Sequence, residues 1–252
     1  MNKEYTSETG IKIPGVTASE MKEIDRIAIE ETGPNLYQMM ENAGRNLTEL
    51  TSQVLDNNSD QEIIVLAGKG GNGGGGICAA RHLANRGYIV KVCVSEPTKL
   101  NDVTNYQLHI LKSTNAKIIT IEELKNEKPD LIIDAIIGYS LNREPKGKEL
   151  ELIKWANNQL AIKISLDVPS GIDATTGNKY RNYIKPDLTL TLALPKTGLL
   201  PELTGELYLG DIGITKSTIQ RFILEFNTLI FKNSYLSRID YINREKSIVS
   251  KS

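Results

Sequence analysis

Apolar positions fall into two textures along the chain. In the first, they recur at helical spacing: Met21, Ile24, Ile27 and Ala28 follow Thr17-Ala18-Ser19-Glu20, a capping box whose hydroxyl and carboxylate each satisfy a backbone N–H of a first turn. A helix is predicted there. A second stripe, Leu36, Met39, Met40, Ala43, Leu47, Leu50 and Val54, follows Pro34, whose fixed φ suits the first turn of another helix. Both helices are expected to precede the sheet. From residue 63 the apolar residues come in short continuous runs: Ile63–Ala67, Tyr88–Val94, Lys117–Ile121, Leu131–Asp134, Ile162–Leu166 and Leu188–Leu194. Such runs predict strands buried on both faces, as in a parallel sheet. Gly76–Arg86, Asn101–Ser113 and Gly147–Asn158 are long enough for crossover helices, so the pattern is repeated βαβ and the expected class is a doubly wound α/β protein.

The length of 252 residues suits one large α/β domain. Its core is expected from about residue 16 to 231, between a polar leader and a polar, loosely held tail that ends in NREKSIVSKS. Lys and Arg number 30 against 31 Asp and Glu, so no global field recruits nucleic acid or acidic lipid. Cys78 and Cys93 stand in apolar runs, where a small buried hydrophobe is expected in place of a disulfide or metal ligand. A reducing cytoplasm follows as the expected compartment. The leader MNKEYTSETGIKIPG lacks the apolar stretch of a signal peptide, and no run of some twenty apolar residues occurs, so no membrane insertion is expected.

Chemistry enters with the glycines. Gly68, Gly70, Gly71 and Gly73–Gly76 lie between an apolar strand and an amphipathic helix carrying Ile77, Ala80, Leu83 and Ala84. Glycines permit positive φ and close approach of a ligand, and the helix start adds free N–H groups and the positive end of its dipole. The loop is therefore expected to receive the phosphates of a nucleotide-like molecule. It departs from the dinucleotide fingerprint, because no acidic residue ends the next strand before Glu96. It is not a Walker loop either, since Lys69 precedes the glycines. Two further strand ends carry acids: Asp134 after Leu131-Ile132-Ile133, and Asp167 in SLDVPSGID. The carboxyl ends of parallel strands open onto one crevice, so both can meet the glycine loop. Taken singly, Asp134 reads equally as a helix cap and Asp167 as a brace for the Pro169-Ser170-Gly171 turn.

The ordered set of segments resembles the NAD(P)H-hydrate epimerase family, also called the YjeF N-terminal-domain family. The resemblance runs from about Val16 to Thr215 through VTASEMKEIDRIAI, LYQMMENAG, GKGGNGGGG with AARHLA, DLIIDAIIGYSLNR, ISLDVPSGIDATTG, KPDLTLTLALPKTGLL and GELYLGDIGI. It implies a three-layer α/β/α Rossmann-like sandwich with a mostly parallel, doubly wound sheet. The implied activity is interconversion of the R and S epimers of hydrated NADH and NADPH at the hydroxylated nicotinamide ring, with a bound potassium ion. Asn72, Asp134 and Ser170 fall where the family places ion-contacting oxygens, donors that suit a hard cation. Gly71, Asn72, Gly73, Gly74 and Gly75 take the positions of its substrate-binding glycine loop. Gly138, Tyr139, Ser140, Leu141, Asn142, Arg143 and Glu144 match its substrate loop, and Asp167 matches its acid beside the substrate. Asp167 is the candidate for proton transfer as the carbon–oxygen bond breaks and reforms. Lys196 is expected near the same crevice, or equally as a solvated lysine after a strand.

Where the family loop reads Asn-Asn-Gly-Gly-Asp-Gly, this chain has Gly71-Asn72-Gly73-Gly74-Gly75-Gly76. The missing Asn and Asp motivate an alternative, a non-catalytic nucleotide-binding or dimerisation module of the same fold. The resemblance further implies a homodimer. The chain is expected to lack the dehydratase domain fused to some relatives, so a separate NAD(P)H-hydrate dehydratase is the expected metabolic partner.

Overall fold

The six apolar runs pair into one sheet in a computed structural model that describes residues 3–224 and 226–242. Strands β3 (Glu62–Ala67), β4 (Ile89–Val94), β5 (Lys117–Ile119), β6 (Leu131–Ala135), β7 (Ile162–Leu166) and β8 (Leu188–Leu192) correspond to those runs. Four further strands lie at one side: β1 (Glu4–Ser7), β2 (Lys12–Pro14), β9 (Glu206–Gly210) and β10 (Leu236–Tyr241). Among the described residues the order is β2-β1-β10-β9-β8-β7-β6-β3-β4-β5. Pairing is parallel from β5 to β9 and antiparallel from β9 outward through β10, β1 and β2.

The leader, expected outside the core, and part of the tail, expected to be loosely held, thus belong to the sheet. Tyr5 pairs with Tyr241 across β1 and β10, and Tyr5 and Ile239 are buried in the same cluster as Met21 and Ile24. Residues 243–252, the whole NREKSIVSKS segment, lie outside the described residues.

Side-chain alternation along β3 explains the layering. Ile63, Val65 and Ala67 face one side, where they pack with α2 (Leu36–Val54), α3 (Gly71–Ala84) and α4 (Asp102–Leu111) through Leu47, Ile77 and Leu108. Ile64 and Leu66 face the other, against α5 (Ile121–Leu124) and α6 (Lys148–Asn157) through Leu124, Leu152 and Ile153. α1 (Ala18–Ile27) carries the capping box expected of it, with Thr17 accepting from the N–H of Glu20 and Glu20 accepting from that of Thr17. α2 begins two residues later than Pro34, which was expected in its first turn: Asn35 is the N-cap, and Pro34 lies outside the helix.

The larger correction concerns the glycines. α3 starts at Gly71, so five of them are helical, and none from Gly68 to Gly76 has a positive φ. Close packing is the reason. A Cβ on Gly74 would stand 2.4 Å from Met40 Sδ, and one on Gly76 2.4 Å from the Cβ of Ala135. Each helical glycine costs about 0.5–1 kcal/mol relative to alanine, and here the absence of a side chain lets α3 lie against α2 and β6 together.

Candidate active site

The chain leaves β3 in one direction to build β4 and β5, then crosses back to place β6 on the other side of β3. The connections after adjacent strands β3 and β6 therefore diverge and open a crevice at their carboxyl ends. Backbones meet closely at its base: Gly68 N–H donates to Ala135 O at 2.9 Å, and a Cβ on Gly68 would fall 1.9 Å from Ile136 O. The Thr104 hydroxyl donates to Gly70 O at 2.8 Å, fastening α4 to the start of α3.

A cavity of about 230 Å³ occupies this crevice. Gly71, Asn72 and Gly75 contribute the α3 wall, Gly138, Tyr139 and Ser140 the wall after β6, and Leu166 and Asp167 the end of β7. Lys196 and Asp25 complete the polar lining, while Met21, Met39, Met40 and Ala43 make an apolar side. Pockets for whole drug-sized ligands run to about 300–1,000 Å³; the smaller volume here suits a single ring with the rest of a larger molecule lying outside.

Asp167 is held from three directions. Its φ of +68° is unusual for a residue with a side chain, a conformation that costs of order 1 kcal/mol and persists where surroundings impose it. Its N–H donates to Leu190 O at 2.6 Å. Oδ2 accepts the backbone N–H of Tyr139 at 3.0 Å, and Oδ1 pairs with the ammonium of Lys196. Lys196 is 1 % exposed, so of the two expectations for it the solvated one is excluded. Its Nζ also donates to Leu192 O at 2.9 Å and lies 5.6 Å from the centre of the Tyr139 ring. The leader positions this lysine: the Tyr5 hydroxyl donates to Lys196 O at 2.7 Å, and Val16 exchanges backbone bonds with Pro195 and Thr197.

Asp134 is fully buried one strand away. Its Oδ1 accepts from Ser170 Oγ at 2.6 Å and Ile136 N at 3.2 Å; its Oδ2 accepts from Ser165 Oγ at 2.7 Å and Ser170 N at 2.9 Å. Burial pushes its carboxyl above the usual carboxylate range, and these four bonds oppose that shift. Ser170 Oγ in turn accepts from Ile137 N at 2.9 Å. Asn72 approaches the next residue of the same turn, since a Cβ on Gly138 would meet Asn72 Oδ1 at 3.2 Å and Asp167 Oδ2 at 3.0 Å. The expected ion-contacting residues thus gather around the Ile136–Gly138 turn.

Other expected site residues are distributed more widely. Gly73 and Gly74 face the protein interior, where a Cβ would meet Gly68 O and Met40. Leu141 is buried, while Asn142, Arg143 and Glu144 are exposed, and Arg143 pairs with Glu149 at 2.9 Å. Asp25 was absent from the sequence-derived set. Its signal is nonetheless visible: it lies four residues after Met21 and three before Ala28, on the buried stripe of α1.

The sheet and its crevice define a Rossmann-like α/β protein with a small-molecule cavity at the switch point. Residues 36–198 match the family described as YjeF-related protein N-terminus, and the chain belongs to that family. It is 48% identical over 240 residues to the NAD(P)H-hydrate epimerase of Dehalogenimonas lykanthroporepellens, covering 95% of this chain and 98% of that one. A second NAD(P)H-hydrate epimerase, from Rhodopirellula baltica, is 30% identical over 84% of this chain and 89% of its own length. The bifunctional NAD(P)H-hydrate repair enzyme Nnr of Salinibacter ruber is 32% identical, with this chain spanning 42% of it. The crystal structure of yeast YNL200c has the same fold, with a TM-score of 0.76, 25% identity, and coverage of 90% of this chain and 99% of that one.

Proposed function

We propose that this protein is an NAD(P)H-hydrate epimerase, interconverting the R and S forms of hydrated NADH and NADPH. The observation that carries the reading is the end-to-end likeness to the Dehalogenimonas epimerase, at 48% identity. The cavity supplies a chemistry consistent with it. NADH is an enamine, and water adds to an enamine with its oxygen on the carbon beside nitrogen. Departure and return of that oxygen through the ring iminium inverts the centre. The ring-sized cavity accepts the hydrated nicotinamide, and the free N–H groups at the start of α3 receive phosphate. Asp167, fixed by Lys196 and Tyr139, exchanges protons with the moving oxygen.

Potassium is part of the proposal. Asn72, Asp134 and Ser170 offer an amide oxygen, a carboxylate and a hydroxyl around one turn, a donor set that fits a hard cation. The Asn72 Nδ2 is buried without a partner, and its Oδ1 lies toward Gly138 on that turn. Asp134 accepts four protein donors, while Ser170 Oγ, which donates to Oδ1 and accepts from Ile137 N, keeps a second lone pair that would face the ion. The bound ion would neutralise the buried carboxylate and hold the Ile136–Gly138 turn against Asn72.

Gly75 lines the cavity where the family has Asp, and a Cβ there would meet Leu166 Cδ2 at 2.9 Å. The substitution leaves the Asp167–Lys196 pair intact, which favours an enzyme over a non-catalytic module. We include a homodimer, to be measured by light scattering, and a separate dehydratase that consumes one epimer. No helix among the described residues is long and apolar enough to cross a membrane. The test is epimer exchange. An R-enriched preparation should equilibrate with the S form faster than its spontaneous rate, and faster in potassium than in lithium salts. Folded protein that gives no acceleration overturns the reading.

A further inference from the structure

Two carboxylates line the cavity, and they are fastened to opposite ends of one residue. Asp167 accepts the backbone N–H of Tyr139 at 3.0 Å. Asp25, on α1, accepts the Tyr139 hydroxyl on Oδ2 at 2.6 Å. Their surroundings differ in charge. Asp167 has the Lys196 ammonium directly against it, whereas the other oxygen of Asp25, Oδ1, is buried and has no partner. A buried carboxylate oxygen without a donor is costly when charged and far less so when it carries a proton. The groups that face Asp25 are Tyr139 after β6, Asp167 after β7 and Lys196 after β8. Burial, aided by the Asp167 charge, pushes its carboxyl up to about 6, against the opposing effects of the Tyr139 bond and of Lys196.

We propose that Asp25 is the second proton-transfer group of the cavity, acting on one face of the substrate ring while Asp167 acts on the other. This inference rests on the epimerase reading. In one turnover Asp25 gives its proton to the hydroxyl of the hemiaminal, the carbon–oxygen bond breaks, water leaves, and the nitrogen lone pair forms the iminium. Water then adds to the opposite face, its proton passes to Asp167, and the electron pair returns to nitrogen. Asp25 ends ionised and Asp167 protonated; solvent exchange returns the proton. The reverse epimer uses the same two groups with roles exchanged. Pairs of carboxylates held in different environments divide acid and base work in this way, and inversion with water on the opposite face needs one group on each side.

Enzymatic exchange, with the spontaneous rate subtracted, should be followed from pH 5 to 8 for the wild type, Asp25→Asn and Tyr139→Phe, with folding checked by circular dichroism. The wild-type rate should fall as pH rises through about 6, where Asp25 loses its proton. Asp25→Asn should lose about 100-fold or more in kcat, keep KM within a few-fold, and lose that limb. Tyr139→Phe removes a bond that favours the ionised carboxylate, so its limb should move to higher pH. A folded Asp25→Asn within about threefold of wild-type kcat, or a Tyr139→Phe limb that stays in place, overturns the inference; the second result also decides the case if Asp25→Asn does not fold. A wild type that does not accelerate exchange at all instead defeats the epimerase reading, and this inference with it.

Discussion

Strands β6 and β7 lie side by side, and each delivers an aspartate to the same end of the sheet, but the two carboxylates live in different electrostatic settings. Asp134 remains within its strand and is enclosed by two hydroxyls and two backbone N–H groups. Asp167 stands one residue beyond β7 at positive φ and pairs with a buried lysine on the cavity wall. Neutral donors that use every acceptor position make a carboxylate a brace for its turn. A single charged partner and an open side leave a carboxylate able to exchange a proton. The distinction lies in the neighbours, because the two residues share type, layer and strand-end position.

The sharpest way to break this comparison is to neutralise the carboxylate on the cavity wall. Asp167→Asn keeps the shape and should lower the epimer-exchange rate by about 10³-fold, roughly 4 kcal/mol of barrier. It also leaves the Lys196 ammonium buried without its counter-charge, so rates should be compared per folded molecule. A variant within tenfold of wild type removes Asp167 from the chemistry.

Next in size is Asp134→Ala, whose effect should read first in stability. Four donors lose their acceptor in a site with no water access, and the expected cost is about 3–4 kcal/mol, seen as a fall in Tm of roughly 10 °C. Asp134→Asn should not rescue it. Each carboxylate oxygen accepts one backbone N–H, from Ile136 and from Ser170, so either amide orientation sets an NH₂ against a backbone donor. An Asn variant as stable as wild type contradicts the bracing role.

These two residues also mark how far the sequence alone is legible. Continuous apolar runs identified β3 to β8, and the capping box identified α1, because each signal is local and repeats at the period of its element. β1, β2, β9 and β10 were not legible from apolar runs: in Glu4–Ser7, for instance, only Tyr5 and Ser7 are buried, too short an alternation to stand out from a polar leader. The glycine run read as a loop because glycine disfavours helix, and packing against Met40 and Ala135 overrode that preference. Asp134 and Asp167 were legible as strand-end acids. Their difference was not, since it depends on Ser170 folding back onto one and Lys196 reaching the other from 29 residues away. Asp25 was hidden by its type, although its helical spacing placed it with Met21 and Ala28.

Asp25 sharpens the comparison as a carboxylate with a single hydrogen bond. Its pKa rises from 3.8 to about 6 on folding, so the native state binds more protons than the unfolded state in that interval. The associated stability is fully present below pH 3.8 and is lost as pH rises through 6. Asp25→Asn cannot titrate, so its stability relative to wild type should improve by about 2 kcal/mol between pH 4 and 7. Urea midpoints across that range measure it, and parallel pH curves for the two proteins would show that Asp25 carries no raised pKa.

The smallest effect tests whether the four bonds at Asp134 act together. Ser165→Ala removes one neutral hydroxyl donor, whose bond to Oδ2 is 2.7 Å, and leaves the Ser170 N–H on the same oxygen. A single bond of this kind is worth about 1–2 kcal/mol, and the volume lost is only that of the hydroxyl, because alanine keeps the Cβ. Ser165 does not line the cavity, so exchange activity should stay within about twofold while Tm falls by a few degrees. A loss near that of Asp134→Ala would mean that the network fails as a unit when any donor is removed. The brace at the end of β6 would then be cooperative, and its stability could not be divided among its members.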